Sequence, residues 1–226
     1  MPVRRLALAA LAALTLVLGG CATAGAGEPG GIVDGEFAVA AAWLDGGRVI
    51  ALVTQGSSSC VPIAGDVTVG DDGALEVALE DPQTDGCSDD LAPRATLIGA
   101  PDGVATSDAL EIRVSYGADA SAATHLDAYQ GGDVAEYTPS AGVVDDNLIA
   151  LLTWGSSSCA PVVASAEFDG AVTLVEFETP ASDQVCTMDM APRVTLISGS
   201  DVGEASKLTL SGGAEFTDPV TIPLAG

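Results

Sequence analysis

Val49-Ile50-Ala51-Leu52-Val53-Thr54-Gln55-Gly56-Ser57-Ser58-Ser59-Cys60 returns 99 residues later as Leu148-Ile149-Ala150-Leu151-Leu152-Thr153-Trp154-Gly155-Ser156-Ser157-Ser158-Cys159. A second matched pair follows at the same offset, Cys87 to Ile98 (CSDDLAPRATLI) and Cys186 to Ile197 (CTMDMAPRVTLI). Nine and eight of the twelve positions in these windows are identical, which identifies an internal duplication. Any role held by one copy of the motif is therefore expected of the other.

Outward from the motif the pattern is β throughout. Val49 to Thr54, Asp66 to Val69, Leu75 to Leu79, Ala95 to Ile98 and Leu110 to Ser115 are short, rich in Val, Ile, Leu and Thr, and separated by Gly, Asp and Pro clusters. In Leu75-Glu76-Val77-Ala78-Leu79-Glu80 the apolar side chains recur every second residue, as a half-buried strand requires. Val172 to Phe177, Val194 to Ile197 and Leu208 to Leu210 occupy corresponding places in the second copy, with earlier strands at Phe37 to Leu44 and Tyr137 to Val144. Pro219 to Leu224 reads as a last edge strand, where proline is tolerated. The expected fold is all-β: two tandem homologous antiparallel β-sandwich or barrel-like units of about six strands with one disulfide each. One pseudo-twofold β domain with a shared core is the alternative.

The amino terminus places Arg4 and Arg5 before an apolar run from Leu6 to Leu18, then Gly19, Gly20 and Cys21. This leader resembles that of a bacterial lipoprotein precursor, and Leu18-Gly19-Gly20-Cys21 resembles a lipobox. The resemblance implies that Cys21 is lipidated and becomes the first residue of the mature protein. A run of thirteen residues, apolar but for Thr15, is too short to span a bilayer as a helix. Ala22 to Gly31 has the composition of a flexible tether. The implied division is 1–20 signal peptide, 21–35 lipidated cysteine and tether, 36–117 first unit, 118–134 linker and 135–226 second unit. The alanine-rich, lysine-poor usage resembles that of lipoproteins secreted by high-G+C Gram-positive bacteria.

Removing Cys21 to the lipid leaves Cys60, Cys87, Cys159 and Cys186, an even number in an exported chain. Three pairings are open. Cys60 with Cys87 and Cys159 with Cys186 is preferred, because each copy would then carry its own bridge. Without the leader, five cations (Arg48, Arg94, Arg113, Arg193, Lys207) face 32 acids, which disfavours nucleic acid and anionic lipid headgroups as partners. No short CxxC pair occurs and His125 is the single histidine, so no zinc site is expected. Asp81, Asp85, Asp89 and Asp90 lack the spacing of a calcium loop, and their counterpart keeps only Asp183 and Asp189. No metal and no cofactor is expected.

Ser57, Ser58 and Ser59, with Ser156, Ser157 and Ser158, follow a strand and a glycine, where hydroxyls satisfy free backbone groups. Neither copy has a nucleophile elbow, and His125 has no duplicate to serve as a base. Arg94 and Arg193 occupy equivalent positions four residues after Asp90 and Asp189. An ion pair across that spacing is the structural expectation; a guanidinium offered to an anionic ligand is the functional one. Trp154 replaces Gln55, either as packing at a junction or as a ring for a ligand to stack on, whereas Trp43 reads as core. These serines, arginines and Trp154 are the candidate ligand-binding residues, and no catalytic residue is nominated. The reading is a lipid-anchored extracytoplasmic binding or structural module, non-enzymatic, with the membrane as anchor and an envelope glycan or protein as partner. An envelope hydrolase using paired carboxylates on polysaccharide is the alternative.

Overall fold

A computed structural model describes residues 37–83 and 86–226. The leader, Cys21, the tether and Asp85 lie outside the described residues. Within them, regular structure consists of strands and two single 3-10 turns, at Asp45–Gly47 and Val202–Glu204. The strands of the first copy are β1 (Val39–Leu44), β2 (Val49–Gly56), β3 (Ile63–Val69), β4 (Leu75–Glu80), β5 (Ala92–Gly99), β6 (Leu110–Tyr116) and β7 (Ala120–Leu126). Those of the second are β8 (Ser140–Asp145), β9 (Leu148–Gly155), β10 (Val163–Phe168), β11 (Val172–Phe177), β12 (Ala191–Ser198), β13 (Lys207–Gly212) and β14 (Phe216–Ala225).

The strand order is written twice. The order β1-β2-β5 returns as β8-β9-β12, and β3-β4-β6-β7 returns as β10-β11-β13-β14. Neighbours pair antiparallel except β4 with β6 and β11 with β13, which run parallel. In the second copy β14 also pairs parallel with β8 at Leu224 and Ala225, joining both arrangements into one seven-stranded sheet.

Alternation decides what each face meets. Leu75, Val77 and Leu79 of β4 point inward while Glu76 and Glu80 face solvent. They form one core with Ile112 and Val114 of β6 and with Val39, Ile50, Leu52 and Ile98 of β1, β2 and β5. The second copy builds the matching core from Ile149, Leu151 and Ile197 against Val175, Leu208 and Leu210. The remaining faces of β1-β2-β5 and β8-β9-β12 pack on each other through Ala42, Leu44, Ala51, Ala150 and Leu152. Ala40, Val53, Ala95 and Leu148 continue this contact. Four β layers are therefore stacked, and the duplicated motif lies in the inner two.

That placement explains why the motif is apolar at consecutive positions. Ile50 to Thr54 and Leu148 to Thr153 are all buried, because their strands are covered on both faces. The inner layers approach so closely that a Cβ on Gly142 of β8 would stand 2.3 Å from the Trp43 carbonyl oxygen of β1.

The two copies are stacked head to tail. The Asp45 backbone N–H, beside the start of β2, donates to Ser140 Oγ at 2.8 Å, and Ser140 sits opposite Leu152 near the end of β9. Val53, near the end of β2, shares a cluster with Leu148 at the start of β9. The serine loops that follow β2 and β9 therefore lie at opposite poles of the stack.

Three sequence expectations change. The segment 118–134, taken as linker, contains β7, whose Leu126 enters the first core. Its inward positions before Leu126 are Ala120, Ala122 and Thr124, too small to produce a strong apolar alternation. Strand β10 is also additional, and its inward side chains alternate with exposed ones as weakly. The terminal strand is longer than expected and is not an edge, since β14 pairs with both β13 and β8. Pro219 falls where the register shifts, so the ladder loses no donor there.

Candidate functional site

Cys60 is bonded to Cys87 and Cys159 to Cys186. Each bridge fastens the serine loop to the segment that leads into β5 or β12, and a hydroxyl network closes the same junction. In the first copy Ser57 Oγ lies 2.8 Å from Ser88 Oγ, the Ser88 N–H donates to Ser59 Oγ at 2.9 Å, and the Ser58 N–H donates to Asp90 Oδ1 at 3.1 Å. Ser88 also donates its hydroxyl to Asp90. The second copy repeats the pattern with threonine. Ser156 Oγ lies 2.8 Å from Thr187 Oγ1, the Thr187 N–H reaches Ser158 Oγ at 3.1 Å, and the Ser157 N–H reaches Asp189 Oδ1 at 3.1 Å.

These bonds satisfy both serine triplets locally. Hydrogen bonds from Ser58, the largest cause, and then from Ser88 favour the ionised carboxyl and hold Asp90 down at about 2. Thr187 and then Ser157 lower Asp189 further still. Because both pKa values are depressed on folding, the contribution of these carboxylates is complete above the ordinary aspartate value of 3.8 and is lost as pH falls toward 2. Thermal unfolding followed between pH 5 and about 2 should lose less stability in Asp90→Asn/Asp189→Asn than in the parent. Parallel curves would remove these carboxylates from the acid response.

The arginines do not pair with those aspartates. Arg94 stands on β5 in phase with Thr96 and Ile98, and the period of two turns it toward the first core while Asp90 stays on the exposed loop. Its NH1 donates to the Cys60 carbonyl at 2.6 Å and its Nε to Thr54 Oγ1 at 3.3 Å. NH2 lies 3.5 Å from the Tyr116 hydroxyl, which donates to Asp81. Burial, and then Asp81, push the Tyr116 pKa up, so the hydroxyl remains a donor. Arg193 likewise reaches the Cys159 carbonyl at 2.8 Å and Thr153 Oγ1 at 3.2 Å. Its carboxylate partner is Glu215, at 2.6 Å, not Asp189. The guanidinium side chain is only 4% exposed.

The glycine of each motif is required by this arginine. A Cβ on Gly56 would lie 2.5 Å from Arg94 Cζ, and one on Gly155 would lie 2.9 Å from Arg193 NH2. Arg94 is held by three partners and cannot swing aside, so Gly56→Ala should cost roughly 1–3 kcal/mol by overpacking. Gly155→Ala should cost a comparable amount, because its Cβ meets Arg193 less closely but that arginine is held by Ser156, Cys159, Thr153 and Glu215. Urea unfolding of the two variants gives the comparison, and an unchanged midpoint for Gly56→Ala would contradict the packing argument.

The structure brings the serines and arginine of each copy to one end, but it turns the guanidinium inward. Trp154 sits at the contact between the inner layers, beside Leu152 and Val194, and meets the exposed Tyr137 edge-on at 5.2 Å. Its Nε1 and Arg193 Nε are buried without a hydrogen-bond partner. Trp43 lies in the first core, as read, and donates to the Asp127 carbonyl at 2.8 Å. His125 is on β7 opposite Glu111. Among the described residues no group of three or more His, Cys, Asp and Glu side chains is arranged to hold a metal ion.

Beside the second bridge lies a cleft of about 360 Å³ that sequence reading did not locate. Phe177, Phe216, Pro161 and Pro180 line it, and its charged wall consists of Glu178, Glu215 and Arg193. Those residues come from four separate segments, and no local spacing announces their meeting. The chain matches no family model, no curated protein and no solved structure in comparisons with each.

Proposed function

We propose that this chain is a lipid-anchored, extracytoplasmic binding module of the cell envelope, non-enzymatic, built from two homologous β units of paired sheets with one disulfide each. The observation that carries the reading is the cleft at the second loop, where Pro161, Pro180, Phe177 and Phe216 meet Glu178, Glu215 and Arg193 beside the Cys159–Cys186 bridge. Such an apolar recess with a few convergent polar groups suits ligand or partner binding. Two disulfides fit an oxidising compartment outside the cytoplasm, in keeping with the lipobox resemblance and Cys21.

The test has two arms. Fatty-acid labelling and membrane fractionation of the full chain should succeed for the parent and fail for Cys21→Ser; equal labelling would refute the anchor. Thermal unfolding of residues 22–226, which retain every described residue, is then followed with envelope glycans, peptidoglycan fragments and peptides added singly. A ligand at 100 times its dissociation constant should stabilise by about 2.7 kcal/mol. No shift with any of them would sink the binding reading.

A further inference from the structure

The two loops are fastened alike but present different surfaces. At equivalent positions the first copy carries Gly86, Asp89 and Leu91, and the second carries Val185, Met188 and Met190. Met188 and Val185 are 103% and 89% exposed, and Met190 and Val162 are also open to solvent. Val185 lies between Gln184 and Cys186, and these two, with Val162, line the cleft. Val162 thus lines the recess, Val185 sits between two of its lining residues, and Met188 and Met190 follow Cys186 within four residues. Several large exposed apolar side chains on one short loop mark an interaction surface, and methionine adapts to the shape of what it meets.

The charge around the rim selects the occupant. Arg193 is the cleft's only cation and is already paired with Glu215, leaving Glu178 as the excess charge. Asp189 stands in the loop itself, bound to the Ser157 N–H and ionised by that environment. A second copy of a chain with net charge −25 is repelled from such a surface, as is an anionic bilayer. Phe37, the first described residue, packs on Tyr116 at 5.7 Å, at the pole of the first loop and opposite the methionines.

We propose that the cleft and its methionine rim dock a protein segment that places an apolar side chain between basic residues. The apolar side chain enters beside Phe177 and Phe216, Met188 and Val185 close over it, and the flanking cations meet Glu178 and Asp189. This assignment rests on the binding-module reading and names the partner class for its site.

The chain contains three methionines, Met1, Met188 and Met190, so residues 22–226 labelled with carbon-13 at the methionine methyls report on this rim. The probes are acetyl-Lys-Lys-Phe-Leu-Lys-Lys-amide and its Glu-for-Lys counterpart. The basic peptide should move both methyl signals saturably, and the acidic one should not. Val185→Gly/Met188→Asp installs the residues of the first copy at exposed positions and should weaken binding at least about tenfold, read from the remaining Met190 signal with the unfolding midpoint unchanged. Equal response to both peptides, or none to either, overturns the proposal. Methyl shifts that grow with protein concentration alone would assign the rim to a second copy, and shifts with phosphatidylglycerol vesicles would assign it to lipid; both overturn it. If the methyls stay silent while a glycan raises the unfolding temperature, this site falls and the binding-module reading stands.

Discussion

Replacing Ala150 by aspartate is expected to unfold both copies together. Ala150 and its counterpart Ala51 are fully buried where the inner layers meet, among Ala42, Leu44 and Leu152. No cation stands among the residues of that cluster to receive a carboxylate. An uncompensated buried charge costs about 3–5 kcal/mol, a large part of the roughly 5–15 kcal/mol by which a domain is stable. The two tryptophans make the outcome readable by copy, since Trp43 lies in the first core and Trp154 at the contact between the layers. Trp43→Phe and Trp154→Phe backgrounds each leave one reporter. In the parent the two urea transitions should coincide, and in Ala150→Asp both should collapse. A native transition that survives at Trp43 would mean that the first copy stands without the second, and that the contact between the inner layers contributes little.

The second large effect is expected from the bridge beside the cleft. Cys159→Ala/Cys186→Ala opens a loop whose ends are 27 residues apart in sequence, a constraint worth roughly 3.5 kcal/mol in the chain-entropy account. For a chain of this size that is a fall in melting temperature of about 7–14 °C. The loss should exceed that of Asp189→Asn, because the bridge constrains the unfolded chain covalently while the exposed aspartate contributes only the hydrogen bonds it accepts from Ser157 and Thr187. Calorimetry under oxidising conditions decides the matter; a fall of less than about 2 °C would show that Ser156, Ser158 and Thr187 hold the junction unaided. The same pair of substitutions should abolish the cleft, whose wall includes Cys159, Cys186 and Gln184.

What the sequence by itself determined is local and repetitive. The offset of 99 residues marked the duplication, the period of two marked strands such as β4 and β6, and one pair of cysteines per copy led to the bridges that form. The glycine and serines after each apolar run identified a turn whose hydroxyls bind its own backbone. Only the tertiary structure decided what each face meets. Arg94 and Asp90 are close in sequence, yet one points into the core and the other into solvent, because a strand sends alternate side chains to opposite sides. Strand β7 was hidden because alanine and threonine bury little apolar surface, and its pairing with β6 supplies what its composition does not. The consecutive burial of Ile50 to Thr54 was visible as an apolar run, but whether a sheet or a helix covers its second face is a property of contacts across the duplication. The cleft is the extreme case, since Pro161, Phe177, Arg193 and Glu215 are brought together by strand order and stacking. Sequence spacing governs which residues share a face; the long-range packing of those faces governs which residues share a site.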